Sequence, residues 1–76
     1  MPNDHLEIVT QVLCSVGGLP RLAPDQDFYD AGFTSIMALP LLMELEGKFN
    51  VIIPDDLFIG ARTARGLSEV IAGLQN

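Results

Sequence analysis

The chain has 76 residues, 49% of them hydrophobic, and its ten acidic residues against four Lys and Arg give a formal net charge of −6. This length predicts one domain over 1–76 with a single small core, and the acidic balance argues against nucleic acid, which needs a cationic face. The single cysteine excludes an internal disulfide and a thiol metal cluster. The sequence has no long apolar segment and no signal-peptide layout, so we expect a cytoplasmic protein without membrane contact.

The first predicted element is a helix that begins at Asp4, where Asp4 and Glu7 match a capping box. Apolar residues then recur on one face at helical spacing: Leu6, Val9, Val12, Leu13 and Val16. Gly17-Gly18 ends the helix. Cys14 lies within it, and we expect a small buried hydrophobic residue there rather than a reactive thiol.

A long connection follows from Gly17 to Thr34. A loop of this length in so small a domain is usually functional or held down by its own apolar residues. The residues available to hold it are Leu19, Leu22, Phe28, Tyr29 and Phe33. We expect Asp25, Asp27 and Asp30 to be solvated or to form turns and caps, and the loop lacks the ligand pattern of a calcium site.

A second helix is predicted from Thr34 or Ser35 to about Lys48, and its apolar face consists of Leu41, Leu42, Leu45 and Phe49. Pro54, followed by two acids, starts a short helical turn that Gly60 closes. Thr63 caps a last helix whose apolar stripe consists of Leu67, Val70, Ile71 and Leu74. The predicted fold class is all-α, a small bundle of three main helices plus one short helix, with a long first loop.

Pro40 is the unusual residue of the second helix. In a regular helix from Ser35 its missing N–H would remove the hydrogen bond to the carbonyl of Ile36, and the ring would clash there, at a cost of about 3 kcal/mol. Either the helix kinks at Pro40, or its regular part begins near Leu39 after a looser turn over 35–38. Both would tilt the turn that bears Ser35, and we hypothesise that this tilt distinguishes partner enzymes.

Catalysis is not expected of this sequence. A serine nucleophile needs a base within hydrogen-bond reach, and the only histidine is His5, close to the N-terminus. The scattered carboxylates show no spacing that supports a paired acid and base. A bundle of this size also leaves little room for a substrate pocket.

Ser35 lies where the glycine-containing loop meets the second helix. The free N–H groups and the dipole of a first helical turn favour an anion, so a phosphoryl group on the Ser35 hydroxyl would be stabilised there. The preceding glycine leaves room for another protein to approach. Position alone, however, favours a simpler role in which Ser35 or Thr34 caps the helix.

The segment DAGFTSIMAL resembles the phosphopantetheine attachment motif of acyl and peptidyl carrier proteins, Asp-x-Gly-x-Asp-Ser-Leu. Asp30, Gly32 and Ser35 match it, whereas Thr34 replaces the usual acid and Ile36 the usual leucine. LLMELEGKFNVIIPDDLF is similar to the family's second helix and following loop, and TARGLSEVIAGL to its final helix. The likeness covers nearly the whole chain and outweighs the capping alternative.

The resemblance implies a carrier that is not an enzyme. A phosphopantetheinyl transferase would attach 4′-phosphopantetheine from coenzyme A to Ser35, with Thr34, Asp30 and Gly32 beside the attachment point. The thiol of the arm would then hold an acyl or aminoacyl group as a thioester. We expect a monomer that an adenylating acyl or aminoacyl ligase loads and that delivers its cargo to an acyl-accepting enzyme.

The second helix is the family's usual recognition element, and here no charge follows Ser35 until Glu44. We expect a partner-binding surface made of Ile36, Met37, Leu39, Pro40, Met43 and Phe58. Leu39 has an alternative place under the long loop. An apolar rather than acidic face favours an aminoacyl carrier over a general fatty-acid carrier.

A second hypothesis is a helical protein-interaction module without a prosthetic group. Such a module would keep its function in Ser35→Ala, whereas a carrier would lose it. Arg62 and Arg65, at the start of the last helix, are expected to be solvated, with contact to the phosphate or to a partner as the alternative.

Overall fold

The computed structural model describes residues 4–75, which form four α-helices and one turn of 3-10 helix. Helix α1 spans Asp4–Gly17, α2 spans Ala38–Phe49, α3 spans Asp55–Gly60 and α4 spans Ala64–Leu74. The 3-10 turn, Ser35–Met37, directly precedes α2, and we call it the serine turn. Three main helices, one short helix and a long loop after α1 confirm the predicted all-α bundle.

The core lies where α1 packs against α2 and α4. Its buried apolar residues are Val9, Val12, Leu13, Leu22, Phe28, Phe33, Leu41, Leu45, Ile53, Phe58, Ala61, Ala64, Leu67 and Ile71. The helical members are mostly those that the spacing predicted, because residues three and four apart share one face of a helix. Cys14 is half-buried against this core, as a packing residue.

Side chains and a left-handed residue define the helix ends. Asn50 ends α2 at φ 57°, and its N–H donates to the carbonyl of Glu46. The Glu46 carboxylate accepts from the N–H of Ile53 at 2.9 Å and so secures the connection to α3. Thr63 caps α4 by accepting from the N–H of Gly66 at 2.9 Å, which confirms the predicted cap.

Two boundaries differ from the prediction. The α-helical part of the second helix begins at Ala38, not at Thr34 or Ser35, and Pro54 is the extended residue before α3, not its first helical residue. Gly60 ends α3, as predicted. The structure of α1 already includes Asp4. The side chain of Asp4 and residues 1–3 lie outside the described part, so the predicted capping box stays a prediction.

The long loop is held against the core by its own aromatic residues. Phe28 and Phe33 are buried, with ring centroids 5.2 Å apart in an edge-to-face arrangement. Phe33 also fills the space beside Gly17, where an added Cβ would lie 2.7 Å from its ring.

An isolated bridge between Asp27 and Thr63 is the one strand-like pairing within residues 4–75. In the same range no helix is long and apolar enough to cross a bilayer.

Leu41 and Leu39 provide a direct test of which face of α2 is buried. Leu41 is 0% exposed, so we expect Leu41→Ala to lower the free energy of unfolding by about 2–5 kcal/mol. Leu39 is 63% exposed, and we expect Leu39→Ala to change it by less than about 0.5 kcal/mol. Urea unfolding followed by far-ultraviolet circular dichroism measures both. Equal losses would contradict this orientation of α2.

Candidate functional site

Ser35 is exposed and is the first residue of the serine turn. Thr34 before it is extended, with φ −107° and ψ 158°, and its side chain forms no cap hydrogen bond. The carbonyl of Thr34 accepts from the N–H of Met37 at 3.0 Å. Within residues 4–75 neither the Ser35 hydroxyl nor the N–H groups of Ser35 and Ile36 have a hydrogen-bond partner. The capping role that position alone favoured is therefore wrong for both residues.

The motif residues before the serine form a tight turn at the surface. Gly32 has φ +117°, a left-handed conformation that residues with a Cβ rarely adopt. Its N–H donates to the carbonyl of Tyr29 at 3.2 Å, and the next N–H, of Phe33, donates to the carbonyl of Phe28 at 2.9 Å. Asp30, Gly32, Thr34 and Ser35 are all exposed on the one continuous segment.

The structure decides between the two interpretations of Pro40. Because α2 begins at Ala38, Pro40 is its third residue, where the N–H has no partner within the helix in any case. The missing donor therefore costs no hydrogen bond. The serine turn takes up the three preceding residues as 3-10 helix, so the delayed start is the correct interpretation.

An apolar surface surrounds the serine turn on α2 and α3. Ile36 is 86% exposed, Leu39 and Met43 are each 63% exposed, and Pro40 is exposed beside them. Leu39 therefore does not pack under the long loop. Met37 is half-buried against the core.

Phe58 and Ile59 have different places from those that the sequence suggested. Phe58, predicted as a partner-binding residue, is a core residue and only 7% exposed. The residue that the prediction missed is Ile59, which is 71% exposed. The run Leu57-Phe58-Ile59 carried the signal, because a helix of six residues can bury only one of its faces.

A shallow cleft separates the exposed face of α2 from α3. Its volume is ≈ 230 Å³, and the residues that line it are Ala38, Leu39, Leu42, Asp55, Phe58 and Ile59. Phe58 thus reaches the surface at one edge. We call the exposed part of this region, Ile36, Leu39, Pro40, Met43 and Ile59, the apolar patch.

Two ion pairs join the long loop to the start of α4. The Arg62 guanidinium donates to Asp27 and that of Arg65 to Asp25, each at 2.7 Å. The hydrogen bond from Arg62 lowers the pKa of the Asp27 carboxyl, and the same bonds raise the pKa of both arginines. Both arginines are exposed, as expected, and each is in addition paired to a carboxylate of the loop, which the sequence did not predict.

His5 lies at the other end of α2 from Ser35. Its ring stacks on Phe49, with centroids 5.2 Å apart, and its Nε2 is hydrogen-bonded to the side chain of Gln75. Since α2 has 12 residues, about 18 Å of helix separate this ring from the serine turn. His5 is therefore too far away to act as a base for Ser35. Within the described residues no group of three His, Cys, Asp or Glu is arranged to hold a metal ion.

The sequence was compared with known proteins. A family model described as "Phosphopantetheine attachment site" matches residues 7–71, which include the whole serine turn and the parts of all four helices that build the core. No curated protein matches the sequence significantly.

The Asp27–Arg62 pair predicts an acid-dependent contribution to stability. Because the folded-state pKa of Asp27 is lowered, this contribution is present above the unfolded pKa and is lost as the pH falls through the folded pKa. In Arg62→Ala we expect the pKa of Asp27 to rise towards its ordinary value of about 3.9. NMR titration of the side-chain carboxyl measures it, with Arg65→Ala as the control that leaves it unchanged. A parent Asp27 that titrates at or above the ordinary value would refute the pairing.

Proposed function

The chain belongs to the phosphopantetheine attachment site family, and we propose that Ser35 bears the arm and that the cargo is an aminoacyl group. Members of the family are carriers rather than enzymes, and they hold 4′-phosphopantetheine covalently. The chain is accordingly a carrier domain that works with a phosphopantetheinyl transferase and with acyl-handling enzymes. The attachment residue, the cargo and the individual partners are the proposal.

The observation that supports Ser35 is its combination of exposure and unpaired backbone amides. The chain has two other serines. Ser68 is buried, and its hydroxyl donates to the carbonyl of Arg65 at 2.7 Å. Ser15 is exposed, but it lies inside α1, where the helix uses the backbone amides. Of the three, Ser35 alone offers a hydroxyl that a transferase can reach beside free donors.

The residues of the serine turn fit a phosphodiester. The N–H groups of Ser35 and Ile36 are donors without a partner in residues 4–75, and the start of a helix favours negative charge. When bound, the arm supplies a thiol that holds the cargo as a thioester. His5 lies at the far end of α2, and within residues 4–75 the Ser35 hydroxyl has no hydrogen-bond partner that could act as a base, so the transferase must accept its proton.

The apolar patch is the basis for the choice of cargo and partners. Its centre, next to Ser35, contains no charged residue, whereas Asp55 lies beside Leu39 and Ile59 and Glu44 lies beside Met43. An exposed apolar surface with a polar rim is typical of a protein interface. We propose that an adenylating ligase recognises this patch and loads an amino acid, that an acyl-accepting enzyme receives it, and that the carrier acts as a monomer.

The other hypothesis from the sequence was an interaction module without a prosthetic group. The family match argues against it, because members of the matched family hold 4′-phosphopantetheine covalently. The apolar patch alone would suit such a module. The exposed Ser35 at the edge of the patch would then have no role.

Intact mass tests the attachment residue. After co-expression with a broad-specificity phosphopantetheinyl transferase, we expect the parent chain to gain about 340 Da, whereas phosphorylation would add only about 80 Da. Ser35→Ala should gain nothing. Ser15→Ala, which removes the other exposed serine, and Thr34→Ala should gain as much as the parent. A full gain in Ser35→Ala would refute the proposal.

The apolar patch predicts that one of two equally exposed isoleucines matters for modification and loading. Ile36 is 86% exposed next to Ser35, and Ile52 is 84% exposed beyond the other end of α2. We expect Ile36→Ser to lower kcat/KM with the transferase or the ligase by about tenfold, the loss typical of a residue that contributes strongly to an interface. Ile52→Ser should stay near the parent value.

Pro40→Glu, which places a charge in the same patch, should lower loading as well. Parent-like rates with every partner for both Ile36→Ser and Pro40→Glu would contradict the assignment of this surface.

A further inference from the structure

We propose that Asp27, held by its ion pair with Arg62, positions the serine turn for the transferase, although neither residue touches Ser35. This inference rests on the proposed attachment at Ser35. In this proposal Asp27 helps to fix the position of the Ser35 hydroxyl and thereby affects the rate at which Ser35 is modified. Neither residue belongs to the attachment motif or to the apolar patch.

The Asp27 carboxylate holds two segments at once. Its Oδ1 accepts from the N–H of Tyr29 at 2.8 Å and from that of Asp30 at 3.2 Å. Its Oδ2 accepts from Nε of Arg62 at 2.7 Å. One oxygen therefore organises the turn that leads towards Ser35, and the other joins this turn to the residues before α4.

A series of hydrogen bonds continues from Asp27 to the serine turn. The N–H of Ala31 donates to the carbonyl of Asp27 at 3.1 Å, and the next two N–H groups, of Gly32 and Phe33, donate to Tyr29 and Phe28. From Tyr29 to Phe33 every backbone N–H is thus bonded within the turn. Thr34 follows in extended conformation and Ser35 begins the helix. A change in the turn at Asp27 would be passed on to Ser35 through this short connection.

Arg62 gives the turn a fixed support. Its carbonyl accepts from the N–H of Phe28 at 3.0 Å, so the long loop and the segment before α4 are joined by a backbone hydrogen bond as well as by the side-chain ion pair. Its guanidinium lies 4.7 Å from the centre of the Tyr29 ring. The next residue, Thr63, caps α4, which packs against α1. Arg62 is therefore connected directly to a helix of the core.

The Asp25–Arg65 pair is an internal comparison for this role. It has the same 2.7 Å distance and joins the same two segments. The Asp25 carboxylate, however, accepts from Arg65 alone within the described residues and caps no part of the turn. Since exposed ion pairs generally contribute little to stability, loss of either pair should leave the fold intact. Only loss of Asp27 should change the geometry before Ser35.

Steady-state modification of the full chain by a phosphopantetheinyl transferase tests the proposal. We expect Asp27→Ala to lower kcat by about tenfold, because misplacing a reacting atom by about 1 Å can cost up to about a hundredfold. KM should stay within about twofold of the parent, because the apolar patch that contacts the enzyme is unchanged. Asp25→Ala should match the parent in both constants.

Two further measurements separate positioning from general destabilisation. Asp27→Asn keeps an oxygen for the amides of Tyr29 and Asp30 but loses the contact with Arg62, so its kcat should lie between that of Asp27→Ala and that of the parent, close to that of Arg62→Ala. Backbone NMR signals of residues 34–37 should shift in Asp27→Ala and not in Asp25→Ala. Should Asp27→Ala fail to fold, Asp27→Asn and Arg62→Ala provide the same comparison, with Arg62→Ala expected to lower kcat.

The possible outcomes are distinct. Equal kcat in Asp27→Ala and the parent would overturn the positioning role, as would equal losses in Asp27→Ala and Asp25→Ala. A kcat in Asp27→Asn as low as in Asp27→Ala would also overturn it, because the oxygen acceptor would then be irrelevant. A parent chain that is not modified at all would refute the attachment at Ser35 instead.

Discussion

The burial of Phe28 and Phe33 is the contact on which the rest of the structure depends. These two side chains flank the four residues Tyr29–Gly32, and both pack into the core with their rings edge to face. The turn between them is thereby held at the surface, and Thr34 and Ser35 follow it immediately. A serine that a separate enzyme must modify has to be exposed, yet its backbone has to be fixed. Anchoring the chain two residues before Ser35 meets both requirements.

The bundle itself follows closely from the sequence. Periodic apolar residues located the three main helices, and Thr63 was recognised as a cap because threonine before an apolar stripe is a common helix start. The aromatic residues that hold the long loop were also predictable, since a loop of 17 or so residues in a small domain needs such anchors. These features depend on local spacing, which a single sequence displays.

The features that were missed depend on contacts between distant segments. The pairing of Asp27 with Arg62 and of Asp25 with Arg65 joins residues 35 and 40 positions apart, and nothing in their local sequence indicates a partner. His5 was noted only as close to the N-terminus, and its stacking on Phe49 was not predicted. Phe58 was taken for a surface residue, and Ile59 was overlooked, because the orientation of a six-residue helix follows from the packing around it. Motif matching found Ser35, whereas the free amides beside it were visible only in the structure.

In the proposed function, two regions of the structure have separate roles. The serine turn, exposed and rich in unpaired donors, is suited to hold the phosphate of an arm. The apolar patch on α2 and α3 is suited to hold a partner enzyme while the arm reaches into its active site. Because Pro40 lies in the first turn of α2, where its missing N–H costs no hydrogen bond, both regions share one short stretch of helix. The serine turn and the apolar patch are thus adjacent and have Ile36 in common.

The central claim is that the Ser35 hydroxyl anchors the arm in the cell, and peptide mapping of the protein from its native host tests it most directly. Cleavage after Arg21 and Lys48 releases the peptide 22–48, in which Ser35 is the only serine. We expect this peptide to carry the added mass of about 340 Da and fragmentation to place that mass on Ser35. A peptide 22–48 that is always unmodified, or an added mass on another residue, would contradict it.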